Sequence, residues 1–196
     1  MRNTSKSQRL FAAIPLLFAV QQAAEGVVWL TLADPDRATI HRLAVNLFLA
    51  CAVVLWPMWL PLSLRAIEQR PGRRRTLDLL LGCGVVVSTY ATILLVRWHP
   101  TARVAGHSIS YDYQGGSGTI LYLAAYIVPT IIPFFVSTAR LARTIGAMLI
   151  ASLLVATIVQ RDALTSVWCF FAAILSGAIV LAVHRETRLT ALAPAR

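Results

Sequence analysis

The sequence predicts an all-α fold, a polytopic bundle of about six transmembrane helices with both termini on the cytoplasmic side. Three observations carry that expectation. The 196 residues are 58% hydrophobic and 13% charged, whereas a soluble domain averages ~45–50% apolar and ~25% charged. Apolar stretches suited to a bilayer core recur six times along the chain. Basic residues crowd alternate gaps between those stretches. Together these exclude a disordered chain, a disulfide scaffold and a water-soluble globule.

The spans lie near 10–32, 41–64, 77–97, 119–138, 144–160 and 165–184, so residues 1–196 form a single transmembrane domain. In the first, Arg2, Lys6 and Arg9 precede an apolar run from Leu10 to Val20, as in a signal peptide. Apolarity resumes after Gln21, Gln22 and Glu25, however, and continues to Ala33 without a small-x-small cleavage site, so a first helix is the better reading. The second ends in Trp56-Pro57-Met58-Trp59-Leu60-Pro61, and the fourth carries Pro129 and Pro133. Each proline frees the carbonyl four residues earlier and bends its helix, as a gating hinge or as a static kink.

The third span carries Gly84, Ser88 and Thr92 at every fourth position. The fourth carries Thr119, Tyr122, Tyr126 and Thr130 on one face, and the sixth carries Cys169, Ala172, Ala173 and Ser176. Small and hydroxyl residues at this spacing are ordinary helix-packing material in membranes. The fifth span is the shortest and would cross with little tilt. Cys51, Cys83 and Cys169 each lie in an apolar run without metal-ligand spacing, and all three are expected as buried small hydrophobes.

Loop charges set the orientation. With the N-terminus inside, the inner segments hold Arg2, Lys6, Arg9, Arg65, Arg70, Arg73, Arg74, Arg75, Arg140, Arg143, Arg185, Arg188 and Arg196. The outer side holds Arg37, Arg42, Arg97, Arg103 and Arg161. Thirteen against five is a positive-inside bias that fits a bacterial cytoplasmic (inner) membrane. The expected partner is the lipid bilayer. No basic stripe lies on a soluble domain, so no nucleic acid is expected. A compact bundle leaves a homo-oligomer open.

The same topology places His41, His99, His107, Asp34, Asp36, Asp112 and Asp162 at the outer face. Glu25 falls roughly 10 Å below the outer end of helix 1, at 1.5 Å per residue. A carboxyl in hydrocarbon is costly and marks function by default; the structural alternative is a protonated Glu bonded to a neighbouring helix. Gln22, Glu25 and Trp29 share a helix face expected to look into the bundle, with Gln21 four residues before Glu25. Asn46, in the outer half of helix 2, and Tyr122 and Tyr126 are candidates to complete an outward-opening polar pocket with Gln22 and Glu25.

The longest loop, 98–118, contains His107, Tyr111, Asp112 and the run Gly115-Gly116-Ser117-Gly118. Alternation from His107 to Tyr113 suits a short strand-like lid. His41, His107, Tyr111 and Asp112 are the outer-loop candidates, the histidines and Asp112 on ligand type alone. No HExxH, GxSxG, Walker or dinucleotide motif is present, so no metal site, cofactor or catalytic residue is assigned.

The run Ala13-Ile14-Pro15-Leu16-Leu17-Phe18-Ala19-Val20-Gln21-Gln22, then Glu25-Gly26 and Trp29, resembles an uncharacterised family of bacterial multi-pass membrane proteins. Its members usually open Met-Cys-Phe-Ser-Ala. The likeness continues through the proline-rich end of helix 2, the loop from Ala105-Gly106-His107 to Tyr111, and Ser166-Val167-Trp168-Cys169-Phe170-Phe171. The resemblance implies a further helix ahead of the Arg-rich start in typical members, which this chain is expected to lack. It implies a fold and a class but no activity.

Three functions fit the residues. The first is transport of a small solute or protons, or membrane sensing, through the pocket around Glu25. The second is an intramembrane lipid hydrolase, metal-dependent or not, with an outer His/Asp site. The third is a non-catalytic membrane partner subunit in which Glu25 only packs.

Overall fold

The structure, a computed structural model, describes residues 9–113, 120–139, 141–159 and 161–177. Thr119, Arg140, the Gly115–Gly118 run, the end of the sixth expected span (178–184), His184, and the terminal basic residues Arg2, Lys6, Arg185, Arg188 and Arg196 lie outside the described residues.

The described residues form six helices and one hairpin. They are α1 (Arg9–Thr31), α2 (Pro35–Ile67), α3 (Pro71–Trp98), β1 (Thr101–Ala105), β2 (Ser108–Asp112), α4 (Ile120–Val136), α5 (Ala142–Val159) and α6 (Leu164–Gly177). Of these, α1, α2, α3 and α5 are long and apolar enough to cross a membrane, while α4 and α6 are apolar but shorter. Large apolar side chains point outward along the bundle, among them Leu16, Leu30, Leu79, Val86, Leu121 and Ile158. An exterior of this kind suits an apolar surrounding and is foreign to a soluble monomer.

One element departs from the all-α expectation. The alternation read at 107–113 is half of an antiparallel hairpin, with Thr101 opposite Asp112 and Ala105 opposite Ser108. Gly106 takes the left-handed conformation (φ 61°) that the tight Gly106-His107 turn requires. Helix α3 also begins at Pro71, six residues before the expected span. Proline at the first helical position lacks only an N–H that would have no partner there.

Helix α2 is not uniform. A 3₁₀ turn at Pro35–Arg37 leads into α-helix, π-helix covers Ala50–Leu55, and α-helix resumes at Trp56. The π-helical stretch lies where Pro57 disrupts the ladder, its ring displacing the carbonyl four residues back. The loosened carbonyls find side chains on other helices. Tyr126 Oη donates to Ala52 O at 2.6 Å, and Ser88 Oγ donates to Val54 O at 2.6 Å. Pro57, Pro61, Pro129 and Pro133 are all fully buried, and α2 packs on α4 there. Tyr126→Phe and Ser88→Ala should therefore each destabilise the bundle by about 1 kcal/mol. Thermal unfolding in detergent, compared with the exposed control Thr89→Ala, measures this.

Two apolar cores stack along the bundle. One draws on all six helices, including Phe18, Trp56, Leu77, Phe134, Ile145 and Ala172. The other lies beneath the hairpin and includes Val28, Phe48, Leu49, Ala91, Ile109 and Cys169. Along α1, Gln21 falls between Phe18 of the first core and Ala24 of the second. The candidate site occupies that junction.

Candidate functional site

Helix α1 presents the site. Its buried residues are Phe18, Gln21, Ala24, Glu25, Val28 and Thr31. At 100° per residue this arc is centred on the Gln21–Val28 side of Glu25. The expected face of Gln22, Glu25 and Trp29 is corrected accordingly. Trp29 is 42% exposed and points away from the bundle, while Gln21 is fully buried. The hydrophobic pattern concealed this, because Trp29 and Val28 are both apolar and only neighbouring helices decide which turns inward.

Glu25 is 6% exposed. The Tyr111 hydroxyl of β2 donates to Glu25 Oε1 at 3.4 Å, Ser166 of α6 hydrogen-bonds the carboxyl, and Gln22 approaches from the preceding turn. Among the described residues, no basic side chain forms an ion pair with it. One turn away, Gln21 Oε1 accepts from Trp56 Nε1 at 2.7 Å. An indole N–H can only donate, so this bond fixes which end of the Gln21 amide is oxygen. Among the described residues, Gln21 Nε2 and Gln22 Nε2 are buried without a partner at ordinary hydrogen-bond distance. The Cys169 thiol lies beside Gln21.

Aromatic rings close both ends of this polar layer. Phe18 stacks on Trp56 with centroids 4.1 Å apart. Tyr111 stacks on Phe48 at 4.5 Å, and neighbouring Ile109 is fully buried. Burial, together with the adjoining Glu25 carboxyl that it hydrogen-bonds, pushes the Tyr111 phenol well above its ordinary range, so it stays protonated and serves as a donor. The outward-opening pocket expected around Glu25 is thus covered, with the hairpin as its cover.

The other sequence candidates fall elsewhere. Asn46 is exposed and bonds back to Arg42 O of its own helix, apart from the polar layer. Tyr122 and Tyr126 join a neighbouring aromatic group with Tyr90 and Trp168, and Tyr126 is committed to α2. His41 lies 3.1 Å from Thr31 Oγ1, tying α1 to the start of α2. His107 is exposed at the hairpin turn, and Asp112 is exposed at the end of β2. Among the described residues, no three His, Cys, Asp or Glu side chains gather as metal ligands. Cys51 and Cys169 are buried, but Cys83 is exposed on the outer side of α3, contrary to expectation. Helical spacing places position 83 beside the buried Gly84, and an apolar exterior accepts a thiol as readily as an apolar core does.

Sequence reasoning gave Ser166 no role and overlooked Glu68. Glu68, just beyond α2, is 3% exposed. Its carboxylate accepts from the backbone amides of Gln69, Arg70 and Thr138 and from the Thr138 hydroxyl. Arg73 Nη1 donates to Val136 O in the same region. Glu68 joins two inter-helix turns at the end of the bundle opposite the hairpin. The Arg65–Asp78 ion pair lies between α2 and α3 near that end.

These features define a helical, membrane-compatible protein with a covered polar layer inside it. The chain belongs to a family of unknown function, DUF6629, whose match spans residues 1–195. No curated protein and no solved structure matches it.

Proposed function

We propose that this chain is a six-span protein of the bacterial cytoplasmic membrane, termini inside and hairpin outside, that carries protons or a proton-linked small solute through the layer around Glu25. The observation that carries the reading is a carboxyl 6% exposed, without a basic partner among the described residues, enclosed between two aromatic stacks. An ionisable group at such depth is functional by default, and a polar layer closed at both ends suits the occluded state of a carrier. The positive-inside bias supports the orientation. An outer-face hydrolase draws less support, since His41, His107 and Asp112 do not converge.

The test is flux in liposomes under an imposed pH gradient, read with an internal pH dye. Wild-type protein should acidify the lumen. Glu25→Gln, which keeps the shape and removes the titratable group, should behave as empty liposomes while melting in detergent within a few degrees of wild type. Wild-type flux from Glu25→Gln, or none from either protein, would return the chain to the packing or partner-subunit reading.

A further inference from the structure

The unpaired amide donors identify what the polar layer holds. Gln21 is wholly buried, and Trp56 has already taken its oxygen. Among the described residues its Nε2 has no partner at ordinary hydrogen-bond distance, with only the weakly accepting Cys169 thiol beside it, and Gln22 Nε2 approaches the Glu25 carboxyl without closing a bond of ordinary length. Buried donors left in this state cost about 1–3 kcal/mol each, and native proteins resolve such sites with ordered water or a ligand. The two amides lie four and three residues before Glu25, the main acceptor in reach. Gln21 and Glu25 are one turn apart on the same helix, so their side chains reach the same level, where a water molecule can accept from the amide and donate to the carboxyl.

We propose that Gln21 and Gln22 hold bridging water against the Glu25 carboxyl, and that the species this site accepts is the proton. The inference rests on the proposed carrier reading of the same site and narrows its cargo. A hydronium arriving from the hairpin side transfers one proton to a carboxylate oxygen of Glu25 and is left as water, held by the amides. Release is the reverse transfer to that water. Tyr111 on the hairpin and Cys169 on α6 are the titratable groups facing Glu25, with Cys51 of α2 beyond Cys169. Ser166 and Tyr111 orient the carboxyl by donating to it. The Phe18–Trp56 stack borders the layer on the side away from the hairpin.

Infrared difference spectroscopy between acid and neutral pH, on the full chain in lipid, tests this without requiring transport. The Glu25 carboxyl band is assigned by its loss in Glu25→Gln. The expected result is an O–H stretch that titrates with that band and shifts in oxygen-18 water. Gln21→Met and Gln22→Met should each weaken or abolish this stretch and move the carboxyl band upward, as a lost hydrogen bond does. Gln22 is only half-buried and does not bond Trp56, so its variant remains informative if Gln21→Met fails to fold. A missing oxygen-18-sensitive stretch, or one that persists unchanged in the folded variants, overturns the proposal. Water bands without flux would sink carriage alone, whereas flux without water bands would sink only the hydrated site.

Discussion

Gly84→Ala should prevent α2 and α3 from packing. A Cβ at this position would lie 1.9 Å from Pro57 O and 2.7 Å from Pro57 C, whereas a carbon–oxygen contact settles at about 3.3–3.6 Å. The oxygen cannot turn aside, because it belongs to a peptide plane inside a helix. Its exposure follows from Pro61, which has no N–H to offer the carbonyl four residues earlier. Gly84 lets α3 press onto that carbonyl, and the same approach brings Ser88 to Val54 O. An added methyl must drive the helices apart by more than about 1 Å, breaking this bond and loosening Leu77, Leu80 and Ala91. The expected loss is about 3 kcal/mol or more, at the upper end for overpacking. Gly82→Ala on the same helix meets nothing within 4 Å and is the control. Equal melting temperatures for the two variants in detergent would show that this contact does not hold the helices.

The spacing of Gly84, Ser88 and Thr92 identified the packing face of α3 in part, because Gly84 and Ser88 are buried and Thr92 is not. The proline pairs were legible as places where carbonyls come free. Their recipients were not, since Tyr126 lies 74 residues from Ala52 and Ser88 lies 34 from Val54. Nothing local in a sequence specifies such pairs. Hydropathy found the apolar stretches for a general reason, that a helix in an apolar setting must be apolar over its length.

The site was legible to the same limited degree. Glu25 stood out because a carboxyl in an apolar run is expensive. Of its expected neighbours, Trp29 was assigned to the wrong side of α1, because Val28 and Trp29 are equally apolar and only packing against other helices selects between them. Ser166 gave no local sign, and Tyr111, singled out as a loop candidate, gave none of its pairing with Glu25 from 86 residues away. His107 attracted attention through its residue type, yet the hairpin carries it to an exposed turn.

Glu68→Ala should cost about 3 kcal/mol or more, and the part of that cost due to the carboxylate charge should vanish in acid. The substitution leaves the amides of Gln69, Arg70 and Thr138 without an acceptor, at about 1–3 kcal/mol for each buried one. Burial pushes the Glu68 carboxyl up, but the bonds from Arg70, Thr138 and Gln69 outweigh it and hold it below the usual carboxylate range. A lowered folded value means that the unfolded chain binds the proton more readily. The contribution is therefore complete above the unfolded pKa of about 4.3 and is lost as pH falls through the folded value. Melting temperatures between about pH 7 and pH 3 should converge for wild type and Glu68→Gln at the acid end. A constant gap between wild type and Glu68→Gln would mean that the carboxylate charge contributes nothing. The consequence reaches the polar layer. Glu68 binds the α2–α3 turn to the α4–α5 turn, and Arg73 secures the end of α4 beside it. The hairpin meets the polar layer through the 3.4 Å contact from Tyr111 to Glu25 and the packing of Ile109 and Tyr111. Glu25 is bonded by Tyr111 of the hairpin and lies away from the end that Glu68 closes, so access to it should come from the hairpin side.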